Sequence, residues 1–189
     1  MQNKKGFTLI ELLVVIAILV ILSIAVVLAL NPAQMLMESR DAQRLSDFSS
    51  IRTAVNLYLT TATSTLVGTS PLETVSGATC GFSGGCSYNA TTSIDGTGWV
   101  GINLGLATGG SPLSFLPLDP RQTTTYFYAY KGDDVNKTFE IDGRLESNKY
   151  RDLMTKDGGD KNACGTDYGT GATALTCFYE VGNAPGLAL

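Results

Sequence analysis

Glu11 is a carboxylate in a segment otherwise built for lipid. It stands in Lys4-Lys5-Gly6-Phe7-Thr8-Leu9-Ile10-Glu11, and from Leu12 to Leu30 every residue except Ser23 is apolar. An acid inside a spanning helix costs on the order of a few kcal/mol at the centre and less near the interface, so it is by default a functional residue whose partner must be sought. The nearby cations, Lys4 and Lys5, lie on the far side of Gly6. Cleavage after Gly6 would remove both and leave a new α-amino group on Phe7, a strong partner for a carboxylate at low dielectric. Glu11 follows Phe7 by one helical turn, so the amine it meets is its own or that of a neighbouring copy.

Other reactive residue types are sparse. There is no histidine, which excludes histidine metal sites, general bases and triads. Four cysteines, Cys80, Cys86, Cys164 and Cys177, lack zinc spacing and fit two disulfides in an oxidising compartment. Three pairings exist, of which the sequence-local one, Cys80–Cys86 with Cys164–Cys177, is preferred. Asp157-Gly158-Gly159-Asp160 is an acidic turn, and its two aspartates are calcium candidates. The stretch lacks the EF-hand ligand series, so a plain solvated turn is the favoured reading and no cofactor is expected. No phosphate loop, nucleophile elbow or catalytic carboxylate pair stands out, and the chain reads as no enzyme. With 17 Asp+Glu against 13 scattered Lys+Arg, nothing indicates a nucleic-acid surface.

These residues need elements to position them. Leu12–Leu30 as a helix rises about 1.5 Å per residue and covers roughly the hydrocarbon thickness of a bilayer. Lys4 and Lys5 would hold its start in the cytoplasm, with the remainder on the other side. Asn31-Pro32 predicts a kink or local opening. Beyond it, Ala42, Leu45, Phe48, Ile51, Val55 and Tyr58 mark the apolar face of an amphipathic helix that fades near Thr60. Glu38, Arg40, Asp41, Arg44, Asp47 and Arg52 fall elsewhere and read as a solvated face, with Asp41–Arg44 and Arg44–Asp47 at pairing distance. Residues 61–122 are rich in Gly, Ser and Thr, with ordered candidates at 98–103 and 113–116; so long a connection is usually functional or mobile. Strands are expected over 123–131, 137–147 and 177–182, forming a small antiparallel sheet on the amphipathic helix, with a turn at 132–136.

The octapeptide Lys5-Gly6-Phe7-Thr8-Leu9-Ile10-Glu11-Leu12 resembles the processing and methylation site of type IV prepilins and type II secretion pseudopilins. The resemblance implies a cut after Gly6 by a membrane-embedded prepilin peptidase, N-methylation of Phe7, and Glu11 as a subunit-docking group that neutralises an adjacent subunit's amine. It is strong over roughly the first sixty residues; beyond them Leu118-Asp119-Pro120 before a Tyr-rich strand resembles the lead into the sheet of major pseudopilins.

An α+β pilin-like fold follows as the expectation: leader 1–6, membrane and filament-core helix 7–30, amphipathic helix 31–60, connecting region 61–122, antiparallel sheet and C-terminal loop 123–189. The implied function is a structural filament subunit. Its partners would be copies of itself, the prepilin peptidase and methylase, assembly platform proteins and the membrane. Its place would be the cytoplasmic membrane, with the head outside, and then an extracellular or periplasmic filament. The alternative is a single-span, membrane-anchored extracytoplasmic binding module, which would keep Met1–Gly6.

Overall fold

In a computed structural model, residues 6–63, 65–166, 168, 176–184, 186 and 188–189 are described. The chain divides into two compact units, 1–37 and 38–189.

The first unit carries helix α1, Leu9–Leu30. Its described side chains are all solvent-exposed, and Leu9–Val27 is long and apolar enough to cross a membrane. The polar exception, Ser23, donates its hydroxyl to the Leu19 carbonyl at 2.7 Å, so it presents no free donor. The expected interruption at Asn31-Pro32 is a change of helix. Asn31 turns left-handed (φ 43°), and helix α2, Pro32–Thr61, begins at the proline, whose missing N–H is no loss in a first turn. The Asn31 carbonyl accepts from Gln34 N at 3.0 Å, so one residue ends α1 and opens α2.

The second unit packs the later turns of α2 on a five-stranded sheet. Its strands are β1 (Leu72–Glu73), β2 (Ser87–Tyr88), β3 (Ala129–Asp133), β4 (Thr138–Gly143) and β5 (Tyr179–Gly182), in the order β2-β1-β3-β4-β5. Neighbours from β1 to β5 run antiparallel. The sheet is mixed, because two short strands from the connecting region add a parallel β1–β2 pair at one edge.

The three expected strands exist but are shorter. Residues 123–126 form a turn, in which Thr123 N donates to the Tyr126 carbonyl at 2.9 Å. The hairpin turn comes one to two residues later than expected, because β3 runs on through Gly132 and Asp133. β4 stops at Gly143, and beyond it the backbone donors turn elsewhere: Leu145 N donates to Met154 Sδ at 3.4 Å, and Glu146 N and Ser147 N to the Asp41 carboxylate at 2.9 and 2.7 Å. At Gly132 the segment 67–68 crosses the sheet so closely that a Cβ would overlap the Val67 carbonyl. That carbonyl accepts the Tyr130 hydroxyl at 2.6 Å.

Alternation along the strands separates two cores. Tyr128, Tyr130, Phe139 and Ile141 pack with Phe48, Ile51, Ala54, Val55 and Tyr58 of α2. Trp99, Val100, Ile102, Leu104 and Leu116 complete this core, so much of the connecting region is packed structure. Phe127, Ala129 and Phe178 form the other core with Cys80 and Phe82. The disulfides are Cys80–Cys86 and Cys164–Cys177. The apolar stripe of α2 is shorter than expected: Ala42 is exposed, Leu45 half-buried, and Asp41 and Arg44 are buried in their stead.

Candidate functional site: the processing segment and two charged clusters

Gly6 and Phe7 precede α1 in non-helical backbone. Phe7 is 85% exposed, and among the described residues nothing approaches the position of a Gly6 Cβ. The Gly6–Phe7 peptide bond is therefore free of helical hydrogen bonding and open, as a cleavable bond must be. Lys4 and Lys5 lie outside the described residues.

Helix α1 starts at Thr8, whose hydroxyl accepts from Glu11 N at 3.3 Å, while Glu11 Oε2 accepts from Thr8 N and from the Thr8 hydroxyl, both at 2.8 Å. This is a reciprocal capping box. Sequence reasoning missed this local role, although Thr8-Leu9-Ile10-Glu11 carries its T-x-x-E signature. The carboxylate is hydrogen-bonded only to uncharged donors, and Oε1 has no hydrogen bond among the described residues. Phe7, Ile10, Val14 and Val15 surround it with an open apolar surface.

In the head, the charges of α2 that read as a solvated face form a buried ion cluster. Arg44 is fully buried and holds Asp41 Oδ1 at 2.8 Å, Asp119 Oδ2 at 2.6 Å and Glu146 Oε1 at 2.6 Å. Arg40 grips Glu146 with two bonds of 2.8 Å, and Arg121 reaches it at 3.1 Å. The Asp41–Arg44 pair forms as the i,i+3 spacing implies; Asp47 instead accepts the Tyr128 hydroxyl at 2.9 Å. Three guanidinium groups face three carboxylates, so the cluster balances its charge. It locks α2 to residues 119–121 and 146–147, a structural task.

A second cluster on the opposite face of the sheet does not balance. The Lys161 ammonium contacts Glu140, lies 3.1 Å from Glu180 and 3.6 Å from Asp142, and reaches the exposed Asp160 at 3.4 Å. Glu140, Asp142 and Glu180 are all but fully buried. Burial lowers the affinity of Lys161 for its proton, but the surrounding carboxylates more than offset this and hold it as an ammonium.

Of the calcium candidates, Asp160 shares this neighbourhood, where oxygens of Glu140, Asp160 and Glu180 lie within 4.8 Å of one another. The lysine ammonium already sits among them. Asp157 is occupied as a loop staple, accepting from Gly159 N at 3.1 Å and Glu180 N at 2.9 Å. A Glu73–Cys80–Cys86 grouping offers no thiolate, because both sulfurs are in the disulfide.

The two clusters predict a pH optimum for the stability of the head. Burial alone would raise Glu146, but Arg40 and Arg44 override it and hold the carboxyl down to about 2, against an ordinary 4.5. Its contribution, on the order of 3 kcal/mol, is complete above about pH 4.5 and is lost as pH falls towards 2. Burial pushes Glu180 up to about 8, against the pull of Lys161. Burial, and then Glu140 beside it, push Asp142 well above its ordinary value. Both bind protons more tightly folded than unfolded, so their contribution is lost as pH rises, for Glu180 from about 4.5 through 8. Thermal unfolding followed by Trp99 fluorescence is expected to peak at about pH 5 and decline on both sides. A flat profile from mildly acidic to alkaline pH would contradict the Lys161 cluster.

The family model of the prokaryotic N-terminal methylation motif matches residues 1–27. This is the type IV prepilin and pseudopilin signature. No curated protein and no solved structure matches the chain. The motif supports a pilin- or pseudopilin-like precursor, a class of structural proteins that are usually not enzymes, and with the apolar helix it points to membrane anchoring.

Proposed function

We propose that the chain is a structural subunit of a type IV pilus or a type II secretion-like filament. The observation that carries this reading is the open Gly6–Phe7 bond set directly ahead of a capped apolar helix that bears Glu11. Residues 1–6 are its leader, 7–30 its membrane and filament-core helix, and the remainder a head facing outward. A prepilin peptidase cuts after Gly6 and the Phe7 amine is methylated.

Glu11 then has two tasks. Oε2 caps its own helix, while Oε1 takes the Phe7 ammonium of an adjacent copy as the subunit leaves the lipid. A helix apolar on all sides suits both lipid and a core of like helices. The lysines ahead of the helix place the N-terminus in the cytoplasm, and the two disulfides fit a head outside it. Assembly platform proteins and further copies of the chain are the partners.

Co-expression with a prepilin peptidase tests the reading. The chain is expected to shorten by residues 1–6, as seen by gel mobility, and Gly6→Val is expected to block the shortening. A chain that stays uncut leaves the single-span binding module.

A further inference from the structure

The Lys161 cluster gathers three buried carboxyl groups, Glu140, Asp142 and Glu180, around one lysine ammonium. We infer that Lys161 and Glu140 join in an intramolecular isopeptide bond, formed by the folded chain itself with loss of one water. Four observations place the reacting groups.

The lysine Nζ already contacts Glu140 Oε1, and its stem lies where a Cβ on Gly81 would overlap it, so glycine makes the approach possible. Phe82 lies over the ammonium, its ring centre 4.8 Å away, and covers one side of it. Glu140 Oε2 accepts the Leu189 backbone N–H at 3.0 Å, a donor set where negative charge develops when a nucleophile adds to the carboxyl carbon. Asp142 is fully buried, its two oxygens have no hydrogen-bond partner among the described residues, and Oδ2 is 3.6 Å from Nζ. Burial, and then Glu140 beside it, raise its affinity for a proton well above the ordinary carboxyl range, which suits it to the part of an acid.

The steps balance with these groups alone. Proton transfer across the contact turns the ammonium–carboxylate pair into an amine and a carboxylic acid. Nζ adds to Cδ of Glu140, and the carbonyl electron pair moves to Oε2 against the Leu189 N–H. Asp142 protonates the Oε1 hydroxyl, which leaves as water while the electron pair on Oε2 re-forms the carbonyl. The Asp142 carboxylate, with Oδ2 3.6 Å from Nζ, then takes the surplus proton from the nitrogen and so returns to its starting state. Glu180, 3.1 Å from Nζ and accepting from Lys161 N at 2.8 Å, holds the lysine in place. The product is one amide in place of one buried cation and one buried anion, which removes the desolvation cost of both. The bond ties the centre of β4 to the segment before β5, and it does not depend on the filament reading.

The test is the intact mass of the full-length chain purified in detergent with its disulfides reduced, with its N-terminus fixed by peptide mapping. The mass is expected to fall short of the sequence mass by one water, with a reduction-resistant peptide pair joining the Glu140 and Lys161 segments. Glu140→Gln is expected to form the same amide with loss of ammonia instead. Asp142→Asn is expected to stay at full mass, and a wild-type yield of the bond in that variant would overturn the proton-donor role. Wild-type protein that is folded yet has the full sequence mass would overturn the bond, whatever the variants do.

Discussion

Arg44→Ala is expected to destabilise the head by about 3–5 kcal/mol, the range for removing one partner of a buried ion pair. Arg44 is the only cation that touches Asp41, Asp119 and Glu146 together among the described residues. Alanine would leave Asp119 without its guanidinium and Glu146 dependent on the more exposed Arg40 and Arg121. It would also leave a void between α2 and residues 119–121. Arg44→Lys should recover only part of the loss, because one ammonium cannot reproduce the paired bonds to Asp119 at 2.6 and 3.0 Å. The readout is urea unfolding of the full-length chain in detergent. The single tryptophan, Trp99, is fully buried in the head core and reports on it. A loss below about 1 kcal/mol is the behaviour of a solvated pair and would contradict the buried cluster.

Glu11→Leu is expected to leave the chain in the membrane and to abolish filaments. The substitution makes α1 more apolar, so anchoring does not suffer. It removes half of the capping box, which costs about 1 kcal/mol. The larger effect falls on subunit addition. Losing one partner of an ammonium–carboxylate pair at low dielectric costs about 3–5 kcal/mol, or roughly a hundred- to several-thousandfold in the equilibrium for each added copy. Glu11→Gln separates the two roles, because the amide can still accept from Thr8 but carries no charge. Filaments are expected to be lost in both variants, scored in sheared surface fractions beside the membrane-bound pool. Wild-type filament yield from Glu11→Gln would reduce Glu11 to a helix cap.

The parts of the fold legible in sequence rest on short-range chemistry. The apolar run of α1, its end at Asn31-Pro32, the local disulfide pairing and the three main strands all follow from neighbours close in the chain. Glu11 was legible twice over, as the acid of a processing motif and as the acid of Thr8-x-x-Glu11, although the second signal passed unread. The buried clusters were not legible, because their partners are remote. Arg44 looks like any exposed helix arginine until Asp119, 75 residues on, closes over it. Glu140 and Asp142 alternate with Phe139 and Ile141 as a half-solvated strand would, and nothing nearby announces that Phe82, Lys161 and Leu189 cover that face. The short strands β1 and β2 escaped for the same reason, since two residues each carry no periodicity.

Processing at Gly6 is the claim on which the functional reading turns. Its most direct test is N-terminal peptide mass spectrometry of the protein from its native membrane and from a sheared surface fraction. The account predicts a chain that begins at N-methylated Phe7. A chain that still begins at Met1, in cells with an active prepilin peptidase, would contradict it.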